Sequence, residues 1–185
     1  MDAYSPIADH GLIGDLQTAA LVTTDGVLDW FCCPRFDSPS VFASLLDADR
    51  GGFFRIAPDR DDYVTRQLYL PDTAILITRF MTPDGVGEVH DFMPVITGAA
   101  TDRHRLVRSI RVVRGEMRFA IEIQPLLNIL HSFIRLFYLS SLVILGDKRF
   151  MKIINGVILQ AIIRFGDNIG ESNFSGSAFT IGIKR

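Results

Sequence analysis

The chain has 185 residues, 48% hydrophobic and 22% charged, the composition of a folded protein rather than a disordered one, with room for one domain with a real core. A formal net charge of −2 excludes strong long-range attraction to nucleic acid or an anionic membrane, which leaves neutral partners such as a sugar or another protein surface.

Taken in order, Met1–Pro6 lacks the basic and apolar regions of a secretory signal. Thr18–Thr23 and Val27–Phe31 are short β-prone runs separated by Asp25-Gly26, a pair that tolerates positive φ, so they predict a hairpin. Pro34, without an N–H, stops that ladder. Asp37-Ser38-Pro39-Ser40 offers turn or N-cap oxygens ahead of Val41–Leu46, which is expected to form one or two helical turns. Phe53–Ile56 resumes a strand pattern, and Tyr63–Leu70 suits a half-exposed strand ended by Pro71. Thr73–Met81 and Val86–Phe92 flank Pro83-Asp84-Gly85 as a second hairpin. Leu106–Val113 and Met117–Ile123, around Arg114-Gly115-Glu116, predict a third. In its second arm Met117, Phe119, Ile121 and Ile123 share one face, the alternation of antiparallel sheet with one wet side. The expected class is therefore all-β, an antiparallel β-sandwich followed by a divergent hydrophobic C-terminal tail.

Several of these stretches resemble a known family. TAALVTTDGVLDWFCCPRFDSPSVFASLLD, then Gly51-Gly52-Phe53 and Arg55-Ile56-Ala57-Pro58, is similar to the opening of bacterial glycoside hydrolase family 15 proteins, the glucoamylase and trehalase-like enzymes. Tyr69–Leu76, Asp91-Phe92-Met93-Pro94 and His104–Arg108 leading to Arg114-Gly115 agree with it in order. The resemblance spans about residues 5–125 and implies the family's N-terminal supersandwich-like domain, without the α/α barrel that carries its chemistry. It implies hydrolysis of α-glucosidic bonds in trehalose or α-glucans by a protein of which this chain is a non-catalytic part. The alternative is a stand-alone carbohydrate-binding or protein-interaction module.

A boundary is expected after Pro125. All eight prolines lie at or before it, and the tail 126–185 contains only Ala161 and Ala178 as alanines. Three readings stay open for the tail: a frameshifted or truncated product, a divergent continuation of the sheet, and a membrane segment over Leu126–Leu145. The last has the length of a bilayer core. Against it stand Asn128, His131 and Arg135, since an arginine alone costs about 2.5 kcal/mol or more near a bilayer centre.

Glycoside hydrolysis uses two carboxyl groups facing each other across the bond. The resemblance places both in the missing barrel, so no catalytic residue is assigned here, and Asp25, Asp29, Asp37 and Asp91 inherit no such role; Asp25 reads as a turn residue and Asp37 as a cap. Trp30, Arg35, Phe36 and Asp37 are the candidates for a substrate-cleft rim or domain interface: an aromatic ring stacks on a sugar face and a guanidinium forks two oxygens. The plainer reading makes Trp30 a core residue and Arg35 a local partner of Asp37. The partner is expected to be the α/α-barrel catalytic domain or an oligosaccharide, not nucleic acid. His10, His90, His104 and His131 are scattered without zinc spacing, so no metal and no cofactor is expected. No nucleophile elbow, phosphate loop or dinucleotide fingerprint occurs. Arg103, Arg105, Arg108, Arg111 and Arg114 fall on both faces of a strand, which disperses their charge. Adjacent Cys32 and Cys33 offer no disulfide framework and favour a cytoplasmic location.

Overall fold

The computed structural model describes residues 4–95 and 104–126, together with the backbone of four later strands. After a 3-10 turn at Ile7–Asp9, the strands are β1 (His10–Gly14), β2 (Ala19–Thr23), β3 (Val27–Cys32), β4 (Ser40–Phe42), β5 (Phe53–Pro58), β6 (Val64–Tyr69), β7 (Leu76–Met81), β8 (Gly85–Phe92) and β9 (His104–Gln124). Beyond them lie β10 (Arg135–Leu139), β11 (Lys152–Ile154), β12 (Leu159–Phe165) and β13 (Ser177–Lys184). The fold is the expected all-β antiparallel sandwich, with β11–β13 as a parallel pair.

One strand organises it. The first half of β9 pairs with β8 and β12, and its second half with β5 and β13, so β9 belongs to both sheets. The first sheet runs β1-β2-β3-β5-β9 and the second β9-β8-β7-β6. The third hairpin expected around Arg114-Gly115-Glu116 is therefore absent, because both arms find partners elsewhere and the chain runs straight through. Gly115 takes φ +68 there, where a Cβ would collide with the Asp84 carbonyl oxygen. Register slips by one residue beside it, between Val86 and Gly87, which marks a bulge at the crossing between sheets.

The first two hairpins form as expected, with Gly26 at φ +77 in the β2–β3 turn. No helix forms over Val41–Leu46; one turn closes at its end, where the Leu46 and Asp47 N–H groups donate to the Ala43 carbonyl at 2.9 and 3.1 Å. Val41 and Phe42 instead extend β4, are buried, and pair beside Phe31, so core packing overrides a weak local signal. Phe80 stacks edge-on between Tyr63 and Phe119, at centroid distances of 5.6 and 6.1 Å. Met117, Phe119, Ile121 and Ile123 all face this core. The open edges of the two sheets are stitched together by β6. Tyr69 Oη accepts from the Leu12 N–H at 2.9 Å and donates to the Leu12 carbonyl at 2.8 Å, while Gln67 Nε2 donates to the carbonyls of Val22 and Thr23. The Leu12 N–H and carbonyl, on the edge strand β1, are thereby satisfied and do not invite another chain.

The segment Leu126–Leu145 lies mostly outside the described residues, as does His131. Of that stretch Leu126 is described, its N–H bonded to the Val41 carbonyl at 3.0 Å, and Arg135–Leu139 is a strand. Among the described residues no helix is long and apolar enough to cross a membrane.

Candidate functional site

The candidate residues occupy two places. Leu28 and Phe31 both enter the core, so the two residues between them, Asp29 and Trp30, share the opposite face. A β-bulge produces this: Leu21 pairs with Trp30 but Val22 with Leu28, leaving Asp29 as the extra residue. Trp30 is thus half-buried on the outer face of the first sheet, where its register partner Leu21 pairs in turn with exposed Leu12. It is not the core residue that the plainer sequence reading made it, and the reason is the bulge, which strict alternation does not reveal.

Arg35, Phe36 and Asp37 lie beyond β3 in the loop leading to β4. A turn closes Arg35–Ser38: the Ser38 N–H donates to the Arg35 carbonyl at 3.0 Å, and the Arg35 N–H to Ser38 Oγ at 3.1 Å. Arg35 Nη2 donates to Asp37 Oδ2 at 3.0 Å, with both side chains more than half exposed. Asp37 therefore steadies an arginine instead of capping a helix. Phe36 projects to solvent at 66% exposure, its N–H donating to the Gln17 carbonyl at 3.3 Å. That bond ties the loop to the β1–β2 turn, whose Leu16 stands 89% exposed at φ +75. Among the described residues, no hydrogen bond, ion pair or ring contact joins Trp30 to Arg35, Phe36 or Asp37.

Buried polar pairs fix the scaffold beneath. Asp15 Oδ1 accepts from the N–H groups of Gln17 and Thr18, and its Oδ2 meets His104 Nδ1 at 2.6 Å. The Thr18 hydroxyl donates to the Cys32 carbonyl, which holds the turn against the end of β3. His10 Nε2 meets Asp29 Oδ2 at 2.8 Å. Glu88, on the outer face of the second sheet, accepts from Arg79 Nε and Nη2 and contacts His90 Nε2 at 3.0 Å. Asp91 is paired with Arg108. Among the described residues, each of the four buried carboxyl groups, Asp15, Asp29, Glu88 and Asp91, is thus engaged by a histidine or an arginine. Of the arginine run, Arg108 points inward while Arg105, Arg111 and Arg114 are exposed. Sequence reasoning missed Asp15–His104, His10–Asp29 and Asp91–Arg108 because their members lie 17 to 89 positions apart, and missed the nearer Arg79–Glu88–His90 group because no local pattern marks it as buried. Among the described residues no three His, Cys, Asp or Glu side chains stand together as a metal cluster.

The trehalase-like N-terminal family matches residues 2–163, from before β1 through β9 and into β12. The chain belongs to this family. A trehalase of Mycolicibacterium smegmatis is 34% identical over 141 residues, covering 66% of this chain and 20% of the relative. A Thermoplasma volcanium trehalase is 41% identical over 96 residues, 51% of this chain and 15% of that protein. Trehalase 1 of Sulfolobus acidocaldarius is 40% identical over 118 residues, 64% and 19% respectively. The chain thus spans about a fifth or less of the length of these relatives. No solved structure matches it.

Proposed function

We propose that this chain is the non-catalytic N-terminal domain of a glycoside hydrolase family 15-like enzyme that hydrolyses α-glucosidic bonds in trehalose or α-glucans. The observation that carries this is the family match over residues 2–163 beside relatives named trehalase. The engagement of each buried carboxyl group among the described residues by an arginine or histidine supports a supporting role, since a glycosidase acid needs a free carboxyl poised at a cleft. In this reading the Arg35–Asp37 pair, Phe36 and Trp30 meet the α/α-barrel catalytic domain or the rim of its sugar cleft. Two free buried cysteines support a cytoplasmic setting. Purified chain incubated with trehalose or maltose should release no glucose, and measurable release would overturn the assignment.

A second reading, a stand-alone sugar-binding module, is favoured by the bulge that turns Trp30 outward. An indole on a sheet face stacks on a pyranose ring. Saturable quenching of Trp30 by maltooligosaccharides, weakened in Trp30→Phe, would establish it. Unchanged emission up to millimolar sugar would leave the supporting role.

A further inference from the structure

Among the described residues, two contacts fasten the N-terminal turn to the first sheet, the imidazole of His10 and a backbone bond in which the Thr24 N–H donates to the Asp9 carbonyl at 2.9 Å. His10 opens β1 opposite Thr23, with its Nδ1 2.9 Å from the Pro6 carbonyl oxygen and its Nε2 2.8 Å from Asp29 Oδ2. Both side chains are nine-tenths or more buried. A peptide carbonyl can only accept, so Nδ1 carries a hydrogen. A second hydrogen must lie between Nε2 and Oδ2, because a bare ring nitrogen facing a bare carboxylate would oppose two lone pairs. Ring and carboxyl therefore hold two protons between them, whichever atom bears the second. Asp29 Oδ1 is buried and has no hydrogen-bond partner among the described residues. An orphaned oxygen costs more on a carboxylate than on a neutral acid, which favours the tautomer with the proton on Asp29 Oδ2, donated to Nε2.

Among the described residues, the Pro6 and Ile7 carbonyls from the turn act on His10 and the Asp29 backbone N–H acts on the Asp29 carboxyl; Thr23 of β2 lies opposite His10 in register, and the Leu45 N–H donates to the Asp29 backbone carbonyl at 3.1 Å. Asp9 and Asp25, the carboxylates that precede His10 and Asp29 along the chain, are exposed, and Asp15, the next after His10, is paired with His104.

We propose that the His10–Asp29 pair is a proton-operated clasp, holding the Ile7–Asp9 turn against the Asp29–Trp30 bulge while the shared proton is bound and releasing it when alkaline solution takes that proton away. Burial works against an imidazolium at His10, but Asp29 and the Pro6 and Ile7 carbonyls outweigh it, so the His10 pKa lies above the ordinary 6.5. Burial also raises the Asp29 carboxyl above its usual range, partly offset by His10. Both shifts mean that the folded pair binds protons more tightly than the unfolded chain does. Attachment is complete below pH 6.5 and fades as pH rises through the higher folded value of His10.

Trp30, the chain's only tryptophan, follows Asp29 directly and reports on the bulge. Emission of the full chain, titrated from neutral to alkaline pH, should change in a one-proton step. Asp29→Asn should abolish that step, because the amide N–H donates to Nε2 with no proton to lose, and His10→Phe should abolish it as well. Independently of either variant, hydrogen exchange at the Asp9 and His10 amides, which close the turn onto Pro6 and Ile7, should accelerate across the same step beyond an exposed control amide. A wild-type chain without the step, a step unchanged in Asp29→Asn, or exchange that merely tracks the control would overturn the clasp.

Discussion

Arg108 and Asp91, both fully buried, form a two-point ion pair between neighbouring strands, Nε to Oδ1 at 2.8 Å and Nη2 to Oδ2 at 3.1 Å. The same guanidinium crosses to the facing sheet, donating to the carbonyls of Gly26 at 2.9 Å and Phe54 at 2.5 Å. Its carbon sits 4.7 Å from the centre of the Phe54 ring. Four donated hydrogen bonds and a carboxylate offset the desolvation of the charge, and they join the two sheets at one atom group. Asp91→Ala leaves that cation unpaired and should cost about 3–5 kcal/mol, read as a fall in the urea midpoint. A loss below about 1 kcal/mol would mean that the pair is not what holds the sheets in place.

Gly26 supplies one of those carbonyls from a backbone conformation that L side chains rarely adopt and at a point with no room for a Cβ. At φ +77 a Cβ would strike the Ile56 carbonyl oxygen and meet the Phe80 ring. Gly26→Ala should therefore destabilise by about 2 kcal/mol or more, whereas the same change at an exposed, negative-φ site would be neutral or better. Equilibrium denaturation distinguishes these outcomes.

The exposed Arg35–Asp37 pair behaves oppositely. Screened by solvent, it should contribute less than about 1 kcal/mol, so Asp37→Ala should leave the melting transition nearly unchanged. Because the fold does not depend on it, any loss of sugar binding or of activity in a longer protein carrying Asp37→Ala reports on function directly. A large drop in stability would instead give Asp37 a structural role.

Much of this architecture can be read from the sequence, and the exceptions have a common cause. Asp25-Gly26 and Pro83-Asp84-Gly85 announce their hairpins because turn chemistry is local. Arg114-Gly115-Glu116 looks the same and is not a hairpin, since Gly115 serves a bulge whose partner, Gly85, is thirty positions away. The outward turn of Trp30 depends likewise on an extra residue opposite Leu21–Val22, and nothing in a single strand's alternation marks it. Arg35, Phe36 and Asp37 sit together as loop neighbours must. The buried pairs His10–Asp29, Asp15–His104 and Asp91–Arg108 were illegible because their members are 17 to 89 positions apart and meet only once the sheets assemble. A fully buried arginine also runs against its usual preference for the surface.

The Cys33 thiol gives a chemical check on the interior. Burial first, then the charges of Asp15 and Cys32, push its pKa up to about 12. At pH 8 almost no thiolate is available, and thiolate is the reacting species. Folded chain should therefore resist labelling at Cys33 by a thiol-specific disulfide reagent, while denaturant should expose both cysteines. Rapid native labelling at Cys33, located by peptide mapping, would show that β3 opens at its end.

Acid should weaken the second sheet through Glu88. Burial favours its protonated form, but His90 and the Arg79 guanidinium outweigh that and hold its pKa below the ordinary 4.5. A depressed folded value means stability that is fully present above pH 4.5 and lost as pH falls through the lower folded pKa. Glu88→Gln lacks the titrating group, so the wild-type advantage over it should be constant at neutral pH and shrink on acidification. Urea midpoints of the two proteins compared across that range test the sign. A difference that stays flat would mean that Arg79 and His90 do not stabilise the charge of Glu88, and that its burial is tolerated for shape alone.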